Sequence, residues 1–205
     1  DICFAVLNGN EALPTDNIMS MLPNAQQIGW IAGAIAGLMS QNNVLGFIGG
    51  MEMPLIKKFE AGFLAGVEKV NPDAEVVIGY TGAFDDPGAG KELALTQYNQ
   101  GVDVIYHASG ACGIGVIKAA AEKGLYAIGV DSPQAHMAPY WVLTSMVKRV
   151  DNAVFSEIEA LSKGEFKAGH KVYGLAEDGV AYSDQALAKV HPDLMKQVDQ
   201  LKQQI

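Results

Sequence analysis

The sequence predicts an α/β fold with parallel sheets, and three observations carry that prediction. Short apolar runs alternate with segments of helical periodicity along the whole chain. The runs, such as "VLGFIGG" and "VDVIYHAS", lack the strict polar–apolar alternation of a sheet with one wet face, so they read as strands covered by helices on both sides. Most of the runs also stop at Gly, Asn, Ser or Asp, residues that turn a chain out of a strand.

The first strand is expected at 2–9 (ICFAVLNG), where Asn8 and Gly9 end it, and the second at 17–22 (NIMSML). A helix follows over 25–40; its stretch "IGWIAGAIAGLM", about 12 residues, is too short to span a bilayer and reads as a core helix. Strand 44–50 leads to a helix over 54–70 with Pro54 in its first turn, where the fixed φ of proline suits a helix start. The charges of "KKFEAGFLAGVEK" on that helix form a solvated face. Strand 74–82 runs into "GYTGAFDDPGAGK", in which Asp85 and Asp86 are placed to cap the helix over 88–100. Strand 102–109 passes through a glycine-rich turn into a helix over 113–123, and strand 126–132 ends beside Asp131. A strand at 141–146, a helix over 149–163 and a strand at 170–176 precede the last helix, 191–203, which opens with Pro192 and Asp193. Crossovers between parallel strands are right-handed. Ligands in such sheets sit beyond the carboxyl ends of the strands, so the turn residues are where chemistry is to be sought.

With 205 residues, 49 % of them hydrophobic, the chain buries a substantial core as one large domain or two small lobes. A net charge of −9 with only 14 Lys and Arg excludes a nucleic-acid footprint, which needs clustered cations. Cys3 and Cys112 have no zinc spacing and read as two buried thiols, a disulfide between them being left open. The chain opens directly on an apolar strand with no leader or lipid-attachment cysteine, which suggests that an N-terminal portion has been removed.

Gly110, Gly113 and Gly115 fall in GxxGxG order and not in the GxGxxG of a dinucleotide site. Two readings remain for them: a tight strand-to-helix turn, or a helix N-terminus whose free N–H groups meet a ligand. Lys57 and Lys58 come too late after "GFIGGMEMP" for a phosphate loop, and "GAGKE" lacks the Ser or Thr that holds magnesium. His107, His136, His170 and His191 show no metal-binding spacing. No GxSxG is present, and His107 and Ser109 are read as facing opposite sides of their strand. No nucleophile, acid–base pair or cofactor signature declares itself, so the expectation is a protein that is not an enzyme and uses no cofactor or metal.

The segments "VLGFIGGMEMPLIKKFEAGFLAGVEKVNPDAEV", "GKELALTQYNQGVDVIYHASG", "YAIGVDSPQ" and "VLTSMVKRVDNAVF" together resemble the basic membrane protein family of bacterial ABC-transporter solute-binding lipoproteins. The best-understood branch of that family binds purine nucleosides. The resemblance implies a type I periplasmic-binding-protein fold: two Rossmann-like lobes with parallel sheets, joined by three crossovers, that close on ligand. It also implies that the first lobe is incomplete here, since members begin with a longer N-terminal portion. Lobe one is then expected at 1–41 and 147–175, and lobe two at 42–146 and 176–205.

By the same resemblance Tyr106 stacks on the base, the turn of Ser109 and Gly110 meets the ribose, and Asp131 and Lys148 bond its hydroxyls. Asn8 stands where purine binders often carry the Asp of an "IDG" that reads the base edge; an amide both donates and accepts, so base preference is expected to shift. Tyr106 replaces a frequent Phe, Pro133 replaces a common acidic residue, and Trp30 is expected in a lobe core. The implied partners are a small-molecule ligand, a nucleoside being suspected, and an ABC permease. The implied place is the periplasm or cell surface, with the membrane reached only through a lipid anchor absent from this chain. The alternatives are a binding protein of the same fold for a sugar or signalling molecule, or the sensor domain of a regulator.

Overall fold

A computed structural model describes residues 2–9, 15–183 and 192–205. In chain order its elements are β1 (Phe4–Leu7), β2 (Ile18–Pro23), α1 (Ala25–Met39), β3 (Val44–Gly49), α2 (Pro54–Val70), β4 (Glu75–Tyr80), α3 (Pro87–Asn99), β5 (Val104–Ala108), α4 (Cys112–Lys123) and β6 (Tyr126–Asp131). A 3-10 turn (Ala135–Met137) follows, then β7 (Val142–Lys148), α5 (Val150–Ser162), β8 (Gly169–Tyr173), β9 (Val180–Tyr182) and α6 (Pro192–Lys202). The chain divides into two units, Asp1–Asn24 with Lys148–Ala181, and Ala25–Val147 with Tyr182–Ile205.

Unit 1 holds a three-stranded sheet in the order β1-β2-β8, parallel throughout, with Val6 opposite Ser20 and Met21 opposite Lys171. Its small core gathers Met19, Met21, Ala153 and Tyr173. Beneath it the Tyr173 hydroxyl donates to the buried Glu157 carboxylate at 2.5 Å. Strand β1 is exposed along its whole length, and Phe155 and Ile158 of α5 lie 68 % and 61 % exposed.

The second sheet has six strands in the order β4-β3-β5-β6-β7-β9; β4, β3, β5 and β6 lie wholly in unit 2, and β4, β3, β5, β6 and β7 pair in parallel. Alternation along β5 explains its two cores. Tyr106 faces Phe47 and the Phe63 ring of α2, while Ile105 packs with Val116 and Ile117 of α4. Glycines let the helices close on each other: a Cβ at Gly33 of α1 would stand 2.1 Å from the Phe63 carbonyl oxygen of α2. Likewise a Cβ at Gly115 of α4 would stand 1.9 Å from the Pro87 carbonyl oxygen of α3. Gly115 therefore serves helix packing, a role that neither reading of the GxxGxG glycines covers. At the opposite end of the sheet, the buried Asp103 carboxylate accepts from Ser40 Oγ and from the Gln41 and Asn42 N–H groups at 2.6–2.8 Å, which fixes the turn from α1 into β3.

The predicted α/β elements are present, with differences that have local causes. The units divide at Asn24 and Ala181, and α1 packs through its small residues against α2. Strand β9 and the 3-10 turn, three residues each, are too short to show a period. Asp86 caps α3, accepting from the Gly88 and Ala89 N–H groups at 2.9 and 3.0 Å, whereas Asp85 is not the cap residue. Trp30 is half-buried at the α1–α2 contact, and both thiols are free, Cys112 buried but Cys3 only half-buried. The expected helix start at His191 lies outside the described residues.

Candidate functional site

In unit 2 the chain steps from β3 outward to β4 and then back to β5 on the other side, so strand order reverses between β3 and β5. At such a switch point the loops leaving neighbouring strands part and open a crevice at their carboxyl ends. Gly49 and Gly50 leave β3 here, Phe84 follows β4, and Ser109 and Gly110 follow β5. The half-buried Phe84 ring lies over Gly50, where a Cβ would fall 2.3 Å from its Cε1. Its carbonyl accepts from the Ala111 N–H at 2.7 Å, joining the two turns. Gly110 has φ +58° and a hypothetical Cβ only 2.9 Å from the Phe84 carbonyl oxygen, so both its backbone conformation and its surroundings demand glycine.

Asp131 ends β6 beside this turn, exposed and with φ +68°. The Ser132 N–H donates to the Val130 carbonyl at 2.8 Å, which makes Asp131 the centre of a three-residue turn of the rare, strained kind. Strained non-glycine residues concentrate where a ligand must be met. The loop behind it is pinned on several sides. Gln134 Oε1 accepts from the Val130 N–H at 3.0 Å and faces His107 Nε2 at 3.0 Å, and the Gln134 N–H donates to Ser145 Oγ at 2.9 Å. Burial holds the His107 pKa down at about 4, against the opposing pull of Gln134 and of the Asp131 charge.

The structure brings Ser109, Gly110 and Asp131 to one edge of unit 2, while Asn8 and Lys148 are grouped with unit 1. Asn8 follows β1 with φ +59°, a conformation its short amide tolerates, and Lys148 is the half-buried last residue of β7. Ser109 turns its side chain inward: it is fully buried, Oγ 3.5 Å from His107 Nδ1. That contact corrects the expected opposite facing of His107 and Ser109, since residues two apart in a strand share a face.

Tyr106, expected to stack on a ligand, is core: its ring is 0 % exposed between Phe47 and Phe63, and its hydroxyl has no hydrogen-bond partner among the described residues. An unpartnered buried hydroxyl destabilises. Tyr106→Phe is therefore expected to raise stability by about 1 kcal/mol and the melting temperature by a few degrees, read by thermal unfolding, with ligand affinity unchanged. Phe84 and Gln134 have no place in the sequence reading, and His107 enters it only as a metal or catalytic candidate that is set aside. An aromatic inside a glycine-flanked turn after a strand was the available signal for Phe84, and the other two carried none.

Among the described residues no helix is long and apolar enough to cross a membrane, and no group of three or more His, Cys, Asp or Glu is placed to hold a metal. A family model described as ABC transporter substrate-binding protein PnrA-like matches residues 1–205. Basic membrane protein A of Borreliella burgdorferi is 34 % identical over 213 residues, covering 100 % of this chain and 62 % of that protein. The CD4+ T-cell-stimulating antigen of Listeria monocytogenes is 34 % identical over 207 residues, covering 93 % of this chain and 58 % of that protein. The chain thus spans about three fifths of the length of these relatives. An ABC transporter solute-binding protein from Aeropyrum pernix superposes with a TM-score of 0.85 at 28 % identity, covering 98 % of this chain and 68 % of that one. A parallel α/β architecture of this kind is consistent with a type I periplasmic-binding fold. Matched along its whole length, the chain belongs to the PnrA-like ABC transporter substrate-binding family, whose members are extracytoplasmic, membrane-associated binding proteins and not enzymes.

Proposed function

We propose that the protein captures a purine nucleoside, or a closely related small polar ligand, and delivers it to an ABC permease, held at the membrane by a lipid anchor. The observation that carries this reading is Asp131: an exposed carboxylate in a strained turn at the carboxyl end of a parallel strand, beside the left-handed Gly110. A carboxylate offers two acceptor oxygens, which suits the two vicinal hydroxyls of a ribose. Phe84 offers a half-buried ring at the same edge for a flat base, the role that the burial of Tyr106 denies it. The turn of Ser109 and Gly110 presents backbone groups to the sugar, while Asn8 and Lys148 stand as contacts on the family resemblance alone.

A ligand that binds only the native state stabilises it by mass action, by about 2.7 kcal/mol at a hundredfold excess over Kd. Purine nucleosides are therefore expected to raise the melting temperature by several degrees in a thermal-shift panel that also holds sugars and free bases. A shift with sugars and none with nucleosides would replace this reading with the sugar-binding alternative.

A further inference from the structure

We propose that His107 and Gln134 form a latch that positions the Asp131 carboxylate, making both of them positioning residues for ligand capture; this rests on the reading of Asp131 as a ligand contact. The bonding pattern fixes the chemistry of the latch. The Val130 N–H is a donor without ambiguity, so the Gln134 side-chain atom that meets it is the carbonyl oxygen. His107 Nε2, 3.0 Å from that same oxygen, must then carry the proton and donate, which leaves Nδ1 as the acceptor toward Ser109 Oγ. Through these bonds the segment just after Asp131 is tied to its own strand at Val130, to β5 at His107 and to β7 at Ser145. Ser145 is anchored in turn, its N–H donating to Ser183 Oγ at 3.0 Å.

The surroundings are shaped to this pair. A Cβ at Gly113 would stand 2.0 Å from His107 Cε1, and one at Gly129 would stand 2.4 Å from Gln134 Oε1 and 2.6 Å from Ser145 Oγ. A glycine inside a strand and another inside a helix each weaken their element, and here both leave room for the latch. The left-handed, hydrogen-bonded turn at Asp131 is the kind of conformation that persists only where neighbours over-determine it, and His107 and Gln134 are those neighbours.

The test compares His107→Leu, which removes the donor but keeps an apolar volume, with His107→Gln, whose terminal amide reaches the position of Nε2. Two quantities are read: inosine affinity by calorimetry, and amide hydrogen exchange across both units. Loss of one such bond corresponds to about tenfold. His107→Leu should weaken inosine binding by about that factor and speed exchange of the Val130, Ser132 and Gln134 amides alone, and His107→Gln should restore most of both. Unchanged affinity in His107→Leu, or acceleration spread through all of unit 2, would overturn the latch. Should His107→Leu fail to fold, Gln134→Met breaks the same bond from the half-exposed side and is judged by the same two readouts. Asp131→Ala is the control for the reading beneath: if it binds inosine like the parent, the ligand contact is wrong, and the exchange data still decide whether the latch orders the loop.

Discussion

Asp131→Gly is expected to abolish nucleoside binding while leaving the protein as stable as the parent, or more so. The two effects separate because they have different causes. A hydrogen bond from a neutral hydroxyl to a charged acceptor contributes about 1.5–3 kcal/mol, so losing two of them weakens binding by a factor of about 100 or more. Stability moves the other way. Asp131 sits at φ +68° in a three-residue turn, a conformation glycine adopts without a Cβ clash, so the substitution removes strain at an exposed position. Calorimetric titration with inosine, paired with urea unfolding of each form, checks both halves. A variant that binds normally would remove Asp131 from the site. A variant that loses binding together with several kcal/mol of stability would show that Asp131 is a structural residue of the β6 turn.

Acidification from pH 6.5 to pH 4 is expected to remove about 3 kcal/mol of stability through His107 alone. Burial lowers its pKa from 6.5 to about 4 in the folded chain, whereas the unfolded chain titrates near 6.5. Between those values the unfolded state binds the proton and the folded state does not, so stability rises with pH across this window and falls as pH drops. Proton affinity that differs tenfold between the folded and unfolded chains corresponds to about 1.36 kcal/mol, and the loss levels off below about pH 4, where both states are protonated. Denaturant unfolding at half-unit pH steps, on parent and His107→Gln, isolates the effect: the difference between the two curves should carry the slope. Parallel curves would mean that His107 does not stay neutral in the fold.

How much of this was readable beforehand differs from element to element. The strands of unit 2 were legible because double-faced burial writes unbroken apolar runs such as "VLGFIG" at β3 and "VIYHA" at β5, each ended by a turn residue. The helix starts at Pro54 and Asp86 were legible because cap chemistry is local. What failed was information that depends on depth and on distant partners. A tyrosine in a strand looks the same whether it lines a crevice or packs between Phe47 and Phe63. The Gln134 link to His107 spans 27 residues and two strands of the sheet, and no spacing rule announces it. Gly113 and Gly115 left the ligand reading open because glycines that make room for a buried imidazole and for a neighbouring helix leave the same mark in a sequence as glycines that meet a phosphate.

A crystal structure of the protein with the small molecule it carries from its source tests the central claim most directly. The account predicts a nucleoside with both ribose hydroxyls within hydrogen-bond distance of the Asp131 carboxylate and its base against the Phe84 ring. A ligand lodged elsewhere, with Asp131 turned to bulk water, would contradict it.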